Sequence, residues 1–148
     1  MSVYTESRTY PTKKKMHMYI LDNDLDAVVA QSGIKDGHVL IFVANVTAAV
    51  TITEGEPGIM THDLEHLFSY GMGAPYGDGF ADGEAYQHHE TWGCDNGASH
   101  LRSLLLGPSV MIPIVEGKPL LETWQNVVLV ECDTRDRARK VVYQIQGE

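Results

Sequence analysis

The sequence predicts an α+β domain with about seven mainly antiparallel strands and two or three short helices. Segments rich in β-branched residues, with apolar side chains at alternate positions, recur along the chain and are typical of strands. A few short segments between them have apolar residues every three or four positions, as helices do. The length of 148 residues, with 43% hydrophobic residues, predicts one domain over 1–148 that folds without disulfide bonds.

The N-terminal half contains two of the predicted helices. Asp22 is expected to cap the first, which carries apolar residues at helical spacing and ends at Gly33. The second covers 58–70 and is followed by glycine. Strands are predicted at 16–20, 38–44 and 46–53.

The C-terminal half begins with a glycine-rich segment. Five glycines lie between Gly71 and Gly83, which predicts a mobile loop that is either a binding loop or a variable surface excursion. Asp95 or Asn96 is expected to cap a third helix that ends at Gly107. Further strands are predicted around 110–114, 127–132 and 141–145.

The charge balance excludes some classes of partner. A net charge of -9 makes general binding of nucleic acid or an anionic membrane unfavourable. Cys94 and Cys132 form no CxxC pair, and the polar segment 1–15 lacks the apolar core of a signal peptide. We therefore expect a cytoplasmic protein with no nucleic-acid or membrane partner.

One histidine cluster could bind a metal. His88, His89 and His100 lie within a short stretch, with Asp95 between them. Two imidazoles and a carboxylate can converge on one metal ion if the chain folds back. The alternative is that His100 bonds a backbone carbonyl and that His88 and His89 are exposed.

A second histidine pair, His62 and His66, has the spacing of two neighbours on a helix face. The pattern is similar to the HExxH motif of metalloproteases, but Asp63 stands where that motif has its catalytic glutamate. The favoured interpretation of this pair is a polar helix face.

Basic residues cluster near the C-terminus, at Arg135, Arg137, Arg139 and Lys140. They could bind a phosphate, or they could be the solvated tip of a hairpin. The dinucleotide-binding, P-loop and nucleophile-elbow motifs are absent from the sequence.

An ordered set of short motifs extends over nearly the whole chain. Together they are similar to the YjbQ family, whose motifs are matched here by Phe42 to Ala49 with Glu54, Tyr86 to His89, Asp95 to Leu101, Leu106 to Ser109, Thr123 to Gln125 and Gln144 to Glu148.

The resemblance implies a two-sheet β-sandwich that assembles as a homotrimer and has a weak thiamine-phosphate synthase activity. It implies that His88, His100 and Asp95 bind a divalent metal, which we expect to be zinc, and act in catalysis with Glu54. Residues expected to contact a phosphorylated substrate are Asn45, Thr47, Gln125, Arg135, Arg137 and Arg139.

This chain departs from the family pattern at three motif positions. Asn45 occupies the position of the first motif histidine, Val46 replaces a threonine and Glu122 replaces a glycine. An asparagine carbonyl is a poor zinc ligand compared with an imidazole. Two alternatives therefore stay open: a metal-dependent hydrolase of a small substrate, and a binder of a phosphorylated metabolite without catalysis.

Overall fold

The computed structural model describes all residues, 1–148, and confirms an α+β fold with two antiparallel sheets. A five-stranded sheet has the order β1-β8-β3-β5-β6, and a three-stranded sheet has the order β2-β7-β4. The strands are β1 (Ser2–Thr12), β2 (His17–Ile20), β3 (Gly37–Val43), β4 (Ala48–Thr53), β5 (Ser109–Val115), β6 (Lys118–Pro119), β7 (Asn126–Glu131) and β8 (Arg137–Gly147).

Four α-helices lie between these strands: α1 (Asp22–Ser32), α2 (Leu64–His66), α3 (Gln87–Trp92) and α4 (Gly97–Leu106). The short α2 lies between two π-helical turns, Ile59–Asp63 and Leu67–Gly71. The three segments together form one continuous helical stretch, called here the 59–71 helix, in the region where the sequence predicts a helix.

The main core lies between the two sheets. Alternate residues of β3 and β8, such as Val39, Ile41 and Ile145, point inward and are fully buried, as antiparallel strands with one covered face require. Val28 on α1 closes the same cluster.

A smaller core lies on the opposite face of the three-stranded sheet. Met18 on β2 and Val128 and Val130 on β7 pack there against Phe68 of the 59–71 helix. Because β7 has sheet on one side and helix on the other, its apolar residues are buried on both faces. This explains the continuous apolar run of this strand.

The structure corrects the prediction at several elements. The chain has eight strands and four helices, and the added strand β1 pairs with β8 along its full length. Asp22 is the first residue of α1 rather than its cap, and its carboxylate accepts from the Val127 amide at 2.8 Å. Asn96 does occupy the cap position of α4, without a side-chain capping bond.

The glycine-rich segment after the 59–71 helix is a loop, as predicted, but it is anchored. Arg102, fully buried, donates from Nη2 to the Ala74 carbonyl at 2.7 Å and forms an ion pair with Glu65. Tyr76 donates to the Cys132 carbonyl at 2.7 Å. These contacts fix the first part of the loop against α4 and β7.

No helix is long and apolar enough to cross a membrane.

Candidate functional site

Two of the predicted site histidines meet where α3 packs on α4. The ring centroids of His88 and His100 are 4.4 Å apart. Gly97 permits this close packing, because a Cβ there would lie 2.9 Å from the Cβ of Tyr86. The Gly97 amide donates to Nε2 of His89 at 2.9 Å, so His89 supports the helix junction.

Both histidines line a cavity of about 570 Å³, called here the histidine cleft. Its lining residues are His88, Thr91, Trp92, Cys94, Asn96, His100, Arg135 and Arg137. Partial burial lowers the pKa of His100, as does the neighbouring His88. Burial thus favours a neutral His100 imidazole, which can both donate and accept a hydrogen bond.

Arg137 is oriented by a buried carboxylate. Its Nε donates to Asp133 at 2.9 Å, and its two terminal nitrogens have no protein partner. Burial raises the pKa of Asp133, but bonds from the Thr134 amide and Arg137 outweigh this effect and hold the pKa below its usual value. A guanidinium held at Nε in this way keeps two donors for a ligand.

Arg135 pairs with the acid that was expected to bind metal. Its Nη1 donates to Asp95 at 3.0 Å, and the Thr134 hydroxyl donates to the same carboxylate oxygen at 3.2 Å. Burial alone would raise the pKa of Asp95, but these donors hold it below its usual value. Asp95 is therefore ionised and engaged with Arg135 at the rim of the cleft.

The third predicted arginine does not reach the cleft. Arg139 is buried and donates to Glu131 through Nε and Nη2, at 2.7 and 2.6 Å. Thr47, also buried, accepts from Nη2 of Arg139 at 2.9 Å. Both residues belong to an internal ionic network beneath the cleft, where they have no exposed donor for an anion.

Asn45 forms a local turn before β4. Its Oδ1 accepts bonds from the amides of Val46 and Thr47, each at 2.9 Å. It also lines a second cavity, of about 360 Å³, that shares His100 with the histidine cleft. The predicted substrate contact at Asn45 thus adjoins the cleft from the other side of His100.

Glu54 and Gln125 lie at the opposite end of the three-stranded sheet. Glu54 follows the last residue of β4 and Gln125 precedes the first residue of β7, whereas Thr47 and Asp133 flank the other ends of these strands. Within one chain the structure does not bring either residue to the histidine cleft.

The other histidine pair is a polar helix face. His62 and His66 stack with ring centroids 5.7 Å apart on the surface of the 59–71 helix. His62 is 73% exposed and bonds Asp63. Neither residue lines the histidine cleft.

Three residues at the site, Cys94, Asn96 and Asp133, were not predicted from the sequence to act there. Cys94 places its Sγ 3.0 Å from Nδ1 of His88, and Asn96 donates to the buried Asp133 at 3.4 Å. His88 lies on α3 and Cys94 lies two residues beyond the end of that helix, so no single periodicity relates the two side chains. Asp133 follows an apolar strand, as many turn residues do. Only the tertiary structure brings them together.

The described side chains do not fit the expected zinc site. No group of three or more His, Cys, Asp or Glu side chains is placed to hold a metal ion. Asp95, the expected third ligand, is engaged by Arg135 and Thr134. The cleft instead combines two imidazoles and two guanidinium groups, which suits an anion.

Comparison with known proteins places this chain in a family. Residues 6–148 match the family described as "UPF0047 protein YjbQ-like". A UPF0047 protein of Synechocystis sp. is 35% identical over 136 residues, covering 91% of this chain and 85% of the relative. A UPF0047 protein of Archaeoglobus fulgidus is 32% identical over 134 residues, covering 90% of this chain and 94% of the relative.

Solved structures agree with this relationship. A YbjQ-like protein of unknown function from Sulfolobus solfataricus P2 has a TM-score of 0.86 at 31% identity, covering 99% of each chain. A hypothetical protein from Aeropyrum pernix K1 has a TM-score of 0.83 at 27% identity, covering 98% of this chain and 99% of its own. The chain described here therefore belongs to the YjbQ (UPF0047) family.

Proposed function

We propose that this chain binds a phosphorylated small molecule in the histidine cleft. The observation that carries the proposal is the convergence of His88, His100, Arg135 and Arg137 on one cavity, in a chain whose net charge is -9. A cavity of about 570 Å³ is in the size range of small-molecule sites. Guanidinium and imidazole donors gathered in one cleft give an acidic protein a local site for an anion.

The geometry of the arginines supports phosphate as that anion. Arg137 is held at Nε by Asp133, so its two terminal nitrogens can donate together to two phosphate oxygens. Only one nitrogen of Arg135, Nη1, donates to Asp95. Its remaining donors can reach a second phosphate group or the outer oxygens of the first.

The reaction that we propose for this site is the thiamine-phosphate synthase reaction implied by the family motifs. The carbon–oxygen bond of a pyrimidine methyl diphosphate breaks, and pyrophosphate leaves with the electron pair. The thiazole nitrogen of a thiazole phosphate then forms a carbon–nitrogen bond with the freed methylene group. Arg137 and the imidazole N–H groups of His88 and His100 would stabilise the charge that develops on the leaving pyrophosphate.

A second candidate function, ligand binding without catalysis, is favoured by the state of the carboxylates. Asp95 is engaged by Arg135, and Asp133 is buried and bonded to Arg137. The cleft therefore has no free carboxylate to act as a general base on water, which a hydrolase would need. A binding protein needs only the hydrogen-bond donors of the arginines and histidines that line the cleft.

A turnover assay separates these functions. Pyrimidine methyl diphosphate and thiazole phosphate are mixed with the protein, and thiamine phosphate is measured after oxidation to its fluorescent thiochrome form. Metal content is measured on the same sample by elemental mass spectrometry. The proposed reaction requires thiamine phosphate to form in wild type and to fall at least about 100-fold in His100→Ala, because both phosphate binding and leaving-group stabilisation are lost.

The matched control is His62→Ala, which removes an exposed histidine far from the cleft and should keep full activity. Saturable binding of both substrates without product would favour the binding function. Pyrophosphate release that does not require the thiazole would favour a hydrolase. Equal activity in His100→Ala and wild type would contradict the assignment of the site.

We also propose that the protein is cytoplasmic and that it forms a homotrimer. Both cysteines are free thiols, as is usual in the reducing cytoplasm. A homotrimer, which the family resemblance implies, would cover apolar surface that one chain leaves exposed, such as Leu104 at 76% and Val46 at 67%.

A further inference from the structure

A third cavity, of about 310 Å³, adjoins the histidine cleft and is not used by the proposed phosphate chemistry. It is called here the aromatic slot, and its wall includes Phe80, Tyr86, His88, Gly97, His100 and Leu101. The wall exposes only apolar atoms to the cavity. An apolar cavity of about 150 Å³ can hold a benzene molecule, so the slot is large enough for a single ring with its substituents.

The second half of the glycine-rich loop holds Phe80 in place. The Phe80 amide donates to the Glu84 carbonyl at 2.7 Å, and the Gly83 amide donates to the Phe80 carbonyl at 3.0 Å. A Cβ at Gly79 would lie 2.2 Å from the Glu84 carbonyl oxygen, so only glycine fits there. The loop thus forms a tight turn that presents one aromatic side chain, 38% exposed, to the slot.

The other large ring of the wall belongs to Tyr86, which is almost fully buried. Its hydroxyl donates to the Pro75 carbonyl at 2.7 Å, so that polar group is already satisfied. Its ring centroid lies 4.6 Å from that of Phe80, with the two ring planes at 58°. Aromatic rings attract one another at such separations beyond the gain from burying their area, so this wall suits a flat ring.

The aromatic slot and the histidine cleft share two residues, His88 and His100. Their ring centroids are 4.4 Å apart, so both cavities border on the same pair of imidazoles. Arg135 and Arg137 line the cleft and do not line the slot. Charged donors in one cavity and apolar rings in its neighbour are the division that a ligand with a phosphate at one end and a ring at the other requires.

We propose that the aromatic slot binds the ring of the phosphorylated ligand, a claim that rests on the proposed function. The chain then selects phosphate esters of flat aromatic or heteroaromatic alcohols. Phe80 and Tyr86 are the specificity-determining residues, and the glycine-rich loop is a binding loop because it carries Phe80. A short linker between ring and phosphate suffices, since only side chains common to both cavities separate the two ends of the ligand.

The test compares phosphate esters of equal charge by NMR titration of wild type. Benzyl phosphate carries a ring one methylene group from its phosphate, and methyl phosphate carries none. Benzyl phosphate should bind at least about tenfold more tightly, because its ring is buried against other rings. Cyclohexylmethyl phosphate, similar in size but not flat, should bind less tightly than benzyl phosphate, since it cannot stack on the aromatic wall.

Variants separate the ring site from the phosphate site. Phe80→Ala should reduce the preference for benzyl over methyl phosphate to about threefold or less and leave methyl phosphate binding unchanged, whereas Phe80→Tyr should keep the preference. Arg137→Gln should weaken the binding of both esters by a similar factor. The control is Leu120→Ala, which removes an exposed apolar side chain just after β6 and should bind both esters like wild type.

The proposal is overturned if benzyl phosphate binds wild type no more tightly than methyl or cyclohexylmethyl phosphate, or if Phe80→Ala keeps the full preference. Binding of methyl phosphate and pyrophosphate would still support the phosphate site in those cases. If no phosphate binds, the proposed function fails, and benzyl alcohol, which carries the ring without the charge, decides the slot. Chemical-shift changes at Phe80 and Leu101 on adding benzyl alcohol would support the slot, and their absence would overturn it.

Discussion

At the scale of single residues, the most unusual feature is a charged network buried beneath the histidine cleft. Glu131 is fully buried, and each of its carboxylate oxygens accepts two hydrogen bonds. The donors include Arg139, Thr12 and the Asp133 amide. Burying charge is costly, and complete hydrogen bonding is what makes it tolerable here.

Removing one partner of this network should therefore lower the stability of the folded chain strongly. Arg139→Met leaves Glu131 buried without its cation, and we expect the free energy of unfolding to fall by about 3–5 kcal/mol. Arg135→Met removes an exposed arginine from the same hairpin, and the expected loss is within about 1 kcal/mol. Urea denaturation of the two variants measures the difference, and similar losses would contradict the burial argument.

The network also predicts acid sensitivity through Asp133. Its pKa is lower in the folded chain than in the unfolded chain, so its stabilising contribution is complete above the unfolded value of about 4. This contribution is lost as the pH falls through the lower, folded value. The free energy of unfolding should decline below about pH 4 in wild type and decline less steeply in Asp133→Asn. Urea titrations from pH 6 to pH 3 test this, and identical slopes would contradict it.

At the scale of elements, the contact between α3 and α4 decides whether a site exists. Tyr86, just before α3, is almost fully buried and packs against Gly97 at the start of α4. His88 and His100 approach because no side chain separates the two helices at this point. The site is thus a property of helix packing, and the two histidines have no direct link in the sequence.

Gly97→Ala tests this packing. The new Cβ would lie 2.9 Å from the Cβ of Tyr86, a rigidly placed atom, so α3 must shift. We expect a loss of about 1–3 kcal/mol in unfolding free energy, typical of overpacking, together with weaker phosphate binding.

The control is Gly58→Ala at the start of the 59–71 helix. There the added Cβ meets only the flexible carboxylate of Glu56, at 2.9 Å, so the expected loss is below about 1 kcal/mol. Equal stability of Gly97→Ala and wild type, measured by urea denaturation, would show that the close approach is unimportant.

The elements also show what hydrophobic periodicity can predict. The strands β3, β5 and β7 were found because their inward residues are apolar. Strand β1 was missed because its inward positions are polar: Glu6, Arg8 and Tyr10 bond one another or Asp24 on α1. In β1, burial alternates regularly along the strand, but the partly buried residues are polar. The sequence therefore shows no alternation of apolar and polar residues there.

Some site residues could be predicted from the sequence, and others could not. The sequence suggested that His88 and His100 could converge if the chain folds back, and their rings do lie 4.4 Å apart, whereas their role in binding stays a prediction. The arginine cluster was recognised from its charge. The burial of Arg139 was not predictable, since Arg137 and Arg139 have the same local sequence character and share one face of β8. They differ in depth, because Arg137 is exposed at the first residue of the strand and Arg139 lies two residues further in.

At the scale of the whole molecule, two apolar cores flank the three-stranded sheet, and the histidine cleft lies at one end of it. Glu54 and Gln125, which the family motifs associate with the site, lie at the other end. If these residues serve the same reaction, they must do so from a different chain. The proposed homotrimer would supply one.

The assembly is tested by size-exclusion chromatography with light scattering. We expect the mass of three chains at micromolar concentration. Leu104→Glu, which places a charge on exposed apolar surface of α4, should dissociate the trimer if that surface is its interface, while Lys118→Glu should not. A monomer in wild type would contradict the trimer and would leave Glu54 outside the site.

The central claim, that the histidine cleft binds phosphate groups, is tested most directly by calorimetric titration of pyrophosphate. We predict saturable binding with one site per chain in wild type. Arg137→Gln should weaken binding by about tenfold or more, because it removes a guanidinium that can donate twice to phosphate. Lys118→Gln, on the distant edge strand β6, should bind like wild type. No measurable binding in wild type, or equal binding in both variants, would contradict the account.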